Sequence, residues 1–263
     1  MSSLQQAGYS VKRFADQPAE ASRLERQAGV IADAEEQALV ALGLTQQGRL
    51  LDLGCGPGVV AARIAGRRPG LRIVGLDRDA DLLALAGGRV TPVRADAAEL
   101  PFASESFDGV HARLLLRHLP DPARTLLEIR RVLRPGGRLV VADSDDGALV
   151  VHPFPEEIAR ALRAKHQTAR RRGADPLIGR RLVQLVRDAG FSGVTARAQV
   201  IDSGSLGTGA FGQVVLAPLA GAIDPDLLAP NQQAAAAAVI RAWSEASGAF
   251  GMTTVVGVGG TRD

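Results

Sequence analysis

The chain has little cysteine, little lysine and few aromatic residues. Its 263 residues contain one cysteine, Cys55, so no disulfide can form within the chain. Lys12 and Lys165 are the only lysines, so arginine carries almost all of the positive charge behind a net charge of +3. Aromatic residues make up 3% of the chain, and none interleaves with the arginine cluster at 163–181 as a stacking surface for bases would require. This composition disfavours a disulfide scaffold and predicts no nucleic-acid partner.

Long apolar runs are also missing. No stretch of twenty apolar residues occurs, and the polar N-terminal stretch with Lys12 and Arg13 lacks the apolar core of a signal peptide. We therefore expect no membrane insertion and a cytoplasmic location. The length is ample for a large α/β domain with insertions, and we expect a monomer or a homodimer.

A glycine-rich turn at residues 50–58 is the most informative motif that is present. The apolar segment Leu50–Leu53 reads as a buried strand, and Val59–Ala65 reads as the start of a helix. Between them, glycine occupies three alternate positions, Gly54, Gly56 and Gly58. Such a turn lets the backbone approach a ligand closely and directs the first helical amides toward it. The pattern predicts a nucleotide-cofactor site.

The spacing of the glycines argues against a dinucleotide cofactor. A dinucleotide fingerprint would place its third glycine at position 59, which is Val59. Asp52 precedes the glycines, and a carboxylate suits an ammonium group better than a phosphate. Further acids follow later predicted strands, at Asp77 and Asp96, where a doubly wound fold places its ligand-binding residues.

Ordered motifs over residues 50–146 resemble the class I S-adenosylmethionine (SAM) dependent methyltransferases, in the small-molecule group related to the ubiquinone and menaquinone C-methyltransferases. The resemblance is carried by LDLGCGPG (51–58), GLD (75–77), RADAAELPFASESFDGV (94–110), LLRHLPDP (115–122) and EIRRVLRPGGRLVVAD (128–143). It implies an α/β fold, a doubly wound, mostly parallel seven-stranded sheet with an antiparallel last strand and helical cap insertions. It also implies SAM as the cofactor and S-adenosylhomocysteine as its product.

The resemblance also assigns roles to residues. The glycines would cradle the methionine part, Asp77 would bind both ribose hydroxyls, Asp96 would bind the adenine amino group, and Ala97 would donate its amide to the ring. Arg113 would lie beneath the methionine, where the family commonly has small or amide side chains. The full predicted cofactor set is Gln27, Asp52, Gly54, Gly56, Gly58, Asp77, Arg78, Asp96, Ala97 and Arg113.

Three segments extend this core. Residues 1–46 are expected to form N-terminal lid helices, and residues 47–263 the SAM-binding domain, with cap insertions at about 145–176 and 203–248. The patterns predict cap helices at Pro155–Arg172 and from the N-cap Asp224 to Trp243. Phe211 and Trp243 are expected to be either core plugs or walls of an acceptor pocket.

The reaction expected from the resemblance is transfer of the SAM methyl group to an oxygen, nitrogen or carbon atom of a small, partly apolar acceptor. A base is needed only for an acceptor that carries a proton, and the candidates are His111, His152, His166 and Asp143. Asp143, Asp145 and Asp146 could suggest a Mg²⁺ site, but the sequence there is also an ordinary acidic turn, so no metal is predicted.

Two alternatives remain open. The chain could bind SAM for a non-methylating reaction or as a regulatory or structural ligand, since fold does not fix function. It could also be an RNA or protein methyltransferase. The Asn/Asp-Pro-Pro-Tyr motif of amino-directed nucleic-acid enzymes is absent after the fourth strand, where the chain reads His111-Ala112-Arg113-Leu114.

Overall fold

The structure is a computed structural model, and it describes residues 29, 32–86 and 88–263. Most of the predicted lid, including Gln27, lies outside these residues. The lid segment is represented by helix α1, Ala32–Ala41, whose buried Leu39 packs beneath the sheet with Leu42 and Leu44. Within the described residues, no helix is long and apolar enough to cross a membrane.

One twisted sheet organises the molecule, and it contains eight strands over the described residues. The strands are β1 Gly48–Leu53, β2 Leu71–Asp77, β3 Thr91–Arg94, β4 Phe107–Arg113, β5 Leu133–Ser144, β6 Val150–His152, β7 Phe191–Asp202 and β8 Phe250–Arg262. Their order is β3-β2-β1-β4-β5-β8-β6, and β7 pairs with the other edge of β8. β1 to β5 are parallel, whereas β8 runs antiparallel to β5, β6 and β7. The mostly parallel α/β sheet and its antiparallel last strand are confirmed.

Helices cover both faces of this sheet and its carboxyl end. After α1 they are α2 Val59–Arg67, α3 Ala80–Leu85, α4 Pro122–Val132, α5 Glu156–Arg171, α6 Leu182–Asp188, α7 Ser203–Leu206, α8 Thr208–Phe211 and α9 Pro230–Glu245. Single helical turns lie at Leu116–His118, Asp146–Ala148, Ile178–Arg181, Gly212–Leu216 and Ala217–Ala220.

The central strands are apolar because both of their faces are covered. Leu51 and Leu53 of β1 join a core with Leu126 and Ile129 of α4, on one face. Leu50 points to the other face, where it joins the core that contains α1 and α2. Side chains alternate across a strand, so near-continuous apolar sequence is required where two helical layers sandwich a parallel sheet.

The cap has apolar cores of its own. Phe211 and Trp243 are buried with a ring-centroid separation of 6.0 Å, and they pack with Ile158 of α5. The Trp243 indole N–H donates to the carbonyl oxygens of His152 and Pro153, both at 3.2 Å. The two aromatic residues are therefore core plugs. The predicted helix at Pro155–Arg172 is confirmed by α5.

Two expectations for the cap and the sheet need correction. The second cap helix begins at Pro230, because the Asp224 side chain accepts a hydrogen bond from Arg172, the C-cap residue of α5, instead of capping a helix. An eighth strand, β6, adds to the seven that were expected. It forms where residues 150–152 pair with the extended start of β8 at Phe250–Met252.

Candidate active site

A cavity of about 570 Å³ opens at the carboxyl ends of the parallel strands. This volume lies within the range of roughly 300–1,000 Å³ usual for small-ligand pockets. One end of the cavity is lined by the glycine turn and the ends of β2 and β3, and the other end by α5 and residues 214–222 of the cap. The cavity therefore joins the sheet edge to the cap.

The glycine turn has the backbone conformation that the sequence predicts. Gly54, Gly56 and Gly58 have φ values of 73°, 51° and 70°, which side-chain-bearing residues rarely adopt. A Cβ added at Gly56 would meet nothing within 4 Å, so the backbone there borders open space in the cavity wall. Gly58 is the N-cap of α2. Burial raises the pKa of the adjacent Cys55 thiol, which is then protonated and unreactive.

Asp77 ties the glycine turn to the end of β2. Its Oδ2 accepts a hydrogen bond from the Gly56 N–H at 2.9 Å, and its Oδ1 accepts one from the Asp79 N–H at 2.9 Å. Burial raises the pKa of Asp77, while these two N–H groups oppose the rise. Asp79 caps α3 by accepting from Asp81 and Leu82, so Asp77 is not needed as the cap. Its carboxylate is available to a ligand at the cavity edge.

The end of β3 supplies a second polar edge. Asp96 is exposed, and its Oδ1 accepts the Ala98 N–H at 2.8 Å in a tight turn. Ala97 is buried beside it, and Arg78 lies across from it at the end of β2. All three residues line the cavity.

Asp52 and His111 form a buried pair beneath the glycine turn. They are neighbours in the β1–β4 register, and His111 Nδ1 lies 2.8 Å from Asp52 Oδ1. Both residues are at most 3% exposed, and His111 Nε2 is enclosed with no hydrogen-bond partner among the residues that the structure describes. The pair lines the cavity together with Arg113 at the end of β4.

Arg117 joins the sheet edge to the cap through a network of charges. It follows β4 in the helical turn Leu116–His118, and its backbone N–H donates to Asp143 Oδ2 at 3.1 Å. Its guanidinium donates to Asp146 Oδ2 at 2.8 Å and also to the Ser144 hydroxyl. The same Asp146 oxygen lies 3.2 Å from His166 Nε2 on α5. One carboxylate thus connects a loop after β5, the turn after β4 and the cap helix.

The two carboxylates of this network have opposite pKa shifts. Complete burial raises the pKa of Asp143 to about 6, although Arg117 favours its charged form. Burial opposes ionisation of Asp146 as well, but the hydrogen bond from His166 and the charge of Arg117 outweigh it and lower the pKa of Asp146 to about 2. Asp146 is therefore the ionised partner of His166 at neutral pH.

The Asp145 side chain pairs with a different arginine from Asp146. Both of its oxygens pair with Arg180, at 2.7 and 2.9 Å, and one also accepts the Gly147 N–H. Among the described residues no group of three His, Cys, Asp or Glu side chains could hold a metal ion. The absence of a metal remains a prediction from the sequence.

The structure brings most of the predicted site residues to one cavity. Those that line it are Asp52, Gly54, Gly56, Asp77, Arg78, Asp96, Ala97, His111, Arg113 and His166. Three of the others lie elsewhere: Gly58 caps α2, Asp143 is buried behind Arg117, and His152 is exposed on β6.

Sequence reasoning missed Arg117 and gave no site role to Asp146. The available signal for Arg117 was its place in the RHLPDP segment, directly after a strand whose carboxyl end faces the cavity. Leu114, between that strand and Arg117, has a φ of 50°, an uncommon conformation for a branched side chain that turns the chain into the cavity wall.

Comparisons with known proteins agree with this geometry. A family model described as "Methyltransferase domain" matches residues 51–141. The O-methyltransferase resE of Aspergillus sclerotiorum is 38% identical over 153 residues, which cover 54% of this chain and 54% of the relative. A demethylmenaquinone methyltransferase of Mycolicibacterium paratuberculosis is 37% identical over 125 residues, which cover 46% of this chain and 54% of the relative.

These alignments reach only about half the length of the curated relatives. Among solved structures, the phosphoethanolamine N-methyltransferase 2 of Haemonchus contortus in complex with SAM superposes with a TM-score of 0.57 at 20% identity. The match covers 90% of this chain and 56% of that one. At this identity the likeness establishes the fold.

The residues at the sheet edge fit SAM. The Gly56 backbone borders space that a Cβ would fill, the Asp77 carboxylate lies at the cavity edge, and the cavity extends past both toward the cap. Residues 51–141 therefore match a methyltransferase domain, and the residues at its sheet edge fit SAM as the cofactor.

Proposed function

We propose that this protein transfers the methyl group of SAM to a small, partly apolar acceptor held between the sheet edge and the cap. One observation carries this proposal. The cavity that contains the cofactor residues continues without interruption to α5 and residues 214–222, so a second molecule can lie beside the cofactor. The names of the relatives, an O-methyltransferase and a demethylmenaquinone methyltransferase, fit a small acceptor of this kind.

When bound, SAM supplies an activated methyl group on a sulfonium. The contribution of the chain is alignment and exclusion of water. Asp77 and Ala97 would fix the nucleoside, and the glycine turn would fix the methionine part beside the buried Asp52. The acceptor is then confined to the cap side, against Leu115, Val214 and Leu219.

The character of the cap side supports an acceptor that is apolar in part. Val214, Val215, Pro218 and Leu219 form its wall, while Arg117, His166 and Thr168 provide polar atoms at its floor. A ligand with an apolar body and one or two polar groups matches such a surface. A polynucleotide or a folded protein would instead need an open groove.

The test is incubation with methyl-labelled SAM and a small-molecule extract of the producing organism, followed by separation of labelled products by size. The proposal expects label in a product of low molecular weight. Label in RNA or protein would refute the small acceptor and favour the macromolecular alternative, whose binding would weaken steeply with salt if RNA were the substrate. Binding of S-adenosylhomocysteine with no transfer of label to any fraction would favour a non-methylating or regulatory SAM binder.

A further inference from the structure

We propose that His166, oriented by Asp146, is the general base of this site and that the acceptor is protic, with an O–H or N–H group as its nucleophile. This inference rests on the proposed function and makes it more specific. It assigns a catalytic role to a cap residue, outside the segment 51–141 that the family model matches.

The first support is the geometry of the imidazole. His166 Nε2 lies 3.2 Å from Asp146 Oδ2, and an ionised carboxylate can only accept a hydrogen bond, so Nε2 carries the proton. The neutral ring then has its lone pair on Nδ1. No hydrogen bond to Nδ1 occurs within the described part of the chain, and His166 lines the cavity with 19% of its side chain exposed. A lone pair on an accessible ring nitrogen is what a general base requires.

The second support is the set of charges around Asp146. Asp146 faces His166 from the loop after β5, and Arg117 faces Asp146 from the turn after β4. Asp143 from β5 and Asp175 from the loop after α5 act on Arg117 in turn. Because Asp146 is ionised at neutral pH, a negative charge is in place to stabilise the imidazolium that forms when His166 accepts a proton.

Two other histidines line the cavity, His111 and His118, and the first of them is unsuited to this role. His111 is fully buried, its Nδ1 is bonded to Asp52, and its Nε2 is enclosed within the described structure. An acceptor cannot reach an enclosed ring nitrogen without moving the strands on which the pair stands. His166 belongs to the cap side, where the acceptor would bind.

The proposed step is balanced without any further reactant. The proton of the acceptor O–H or N–H moves to His166 Nδ1, and the lone pair of the acceptor atom forms a bond to the methyl carbon. The bond between that carbon and the sulfonium sulfur breaks, and its electron pair stays on sulfur. The imidazolium then loses its proton to water.

The experiment compares His166→Gln with the wild type. Glutamine keeps an N–H that can donate to Asp146, so it preserves the link between α5 and the sheet while removing the ring nitrogen that would accept the proton. Arg160→Gln is the matched control, because Arg160 is an exposed residue on the same helix. Methyl-labelled SAM and the small-molecule extract serve as donor and acceptor source, and S-adenosylhomocysteine affinity is measured in parallel.

The expected result is a loss of about 100-fold or more in the labelling rate for His166→Gln between pH 6.5 and 8, because general bases contribute about 10²–10⁴-fold. S-adenosylhomocysteine should bind to it as it does to the wild type, and Arg160→Gln should label normally. If the wild type labels a small product and His166→Gln labels it at the same rate, His166 is not the general base, but the proposed function still stands. No labelled small product from the wild type would overturn both.

A second measurement does not depend on turnover. In the protein bound to S-adenosylhomocysteine, nitrogen NMR of labelled histidine should show neutral His166 with its proton on Nε2. Asp146→Ala should let the proton distribute between the two ring nitrogens, because the carboxylate that selects the Nε2–H form is lost. A proton on Nδ1 in the wild type, or the same proton distribution in Asp146→Ala, would show that the contact is only a structural link.

Discussion

The sheet-edge half and the cap half of the cavity are built in different ways. Contacts within the turns at the sheet edge join residues close in sequence: Asp77 and Gly56 are 21 positions apart, and Asp96 holds Ala98 two positions away. The buried Asp52–His111 pair, which joins two neighbouring strands, spans 59 positions. The family model matches residues 51–141 and ends before the cap begins. In the cap, Trp243 bonds to His152 across 91 positions and Arg172 to Asp224 across 52.

This difference separates two tasks. A cofactor common to many enzymes is held by local backbone geometry, which a short motif can encode. An acceptor that differs between enzymes is held by tertiary contacts in a segment with its own cores, which can change without disturbing the motif. We therefore expect substitutions in the two halves to have separable effects on stability, cofactor binding and turnover.

The largest expected effect is on the stability of the cap. Trp243→Ala removes a buried ring that packs on Phe211 and should lower the free energy of unfolding by about 3–5 kcal/mol in urea titrations. Trp243→Phe, which keeps an aromatic ring, is the control and should cost less. If the halves are separable, the affinity for S-adenosylhomocysteine should change less than threefold while the cap is folded. A tenfold loss of affinity would show that the cap also holds the cofactor.

The next effect is a pH-dependent gain in stability for Asp143→Asn. Burial raises the folded-state pKa of Asp143 from 3.8 to about 6, so the folded protein favours the protonated carboxyl group. The stabilisation that this preference gives the wild type is complete below pH 4 and is lost as the pH rises to 6. The free energy of unfolding of the variant, relative to that of the wild type, should therefore rise over this interval, by up to about 3 kcal/mol at pH 7. The measurement is the melting temperature of both proteins from pH 4 to pH 7.

Asp146→Asn provides a contrast of opposite sign. The pKa of Asp146 is lowered from 3.8 to about 2, so its contribution is present above pH 4 and disappears as the pH falls through 2. The variant should be less stable than the wild type at pH 6, by an amount that shrinks in acid. A pH-independent difference for either variant would contradict the assigned charges.

At the sheet edge, Asp77→Ala should weaken S-adenosylhomocysteine by about 1.5–3 kcal/mol, which is one to two orders of magnitude in Kd. The substitution removes the hydrogen bonds expected to the ribose and also frees the Gly56 N–H. Calorimetric titration measures the change, with the exposed acid Asp81 replaced in Asp81→Ala as the control. Unchanged affinity in a stable Asp77→Ala protein would remove Asp77 from the cofactor site.

A smaller effect should come from Gly56→Ala, for which the chain offers a matched control in Gly136→Ala. Both glycines have positive φ, 51° and 75°, and neither has an atom within 4 Å of an added Cβ. Both variants should lose about 1 kcal/mol of stability from backbone strain. Only Gly56→Ala places a methyl group in the cavity, so it alone should weaken the binding of S-adenosylhomocysteine, by about tenfold. Equal affinities would show that the backbone at 56 does not touch the cofactor.

The sequence was informative where structure is set locally. The glycine spacing predicts the turn, its cavity-facing backbone and the acids at the ends of β2 and β3, because strand, turn and helix follow one another within a few residues. It did not predict that Arg117, Asp146 and His166 meet, since these residues come from three loops and helices that only the folded chain brings together. Asp224 illustrates the same limit. Its pattern is that of a helix cap, but a tertiary partner, Arg172, takes its carboxylate.

The division of the cavity is tested most directly by the crystal structure of a complex with the selenium analogue of S-adenosylhomocysteine, in which anomalous scattering locates the selenium atom. We expect the ribose at Asp77, the adenine beside Ala97, and the selenium facing the cap side of the cavity toward Arg117 and His166. Selenium directed away from the cap, or a nucleoside bound among the cap residues, would contradict the account.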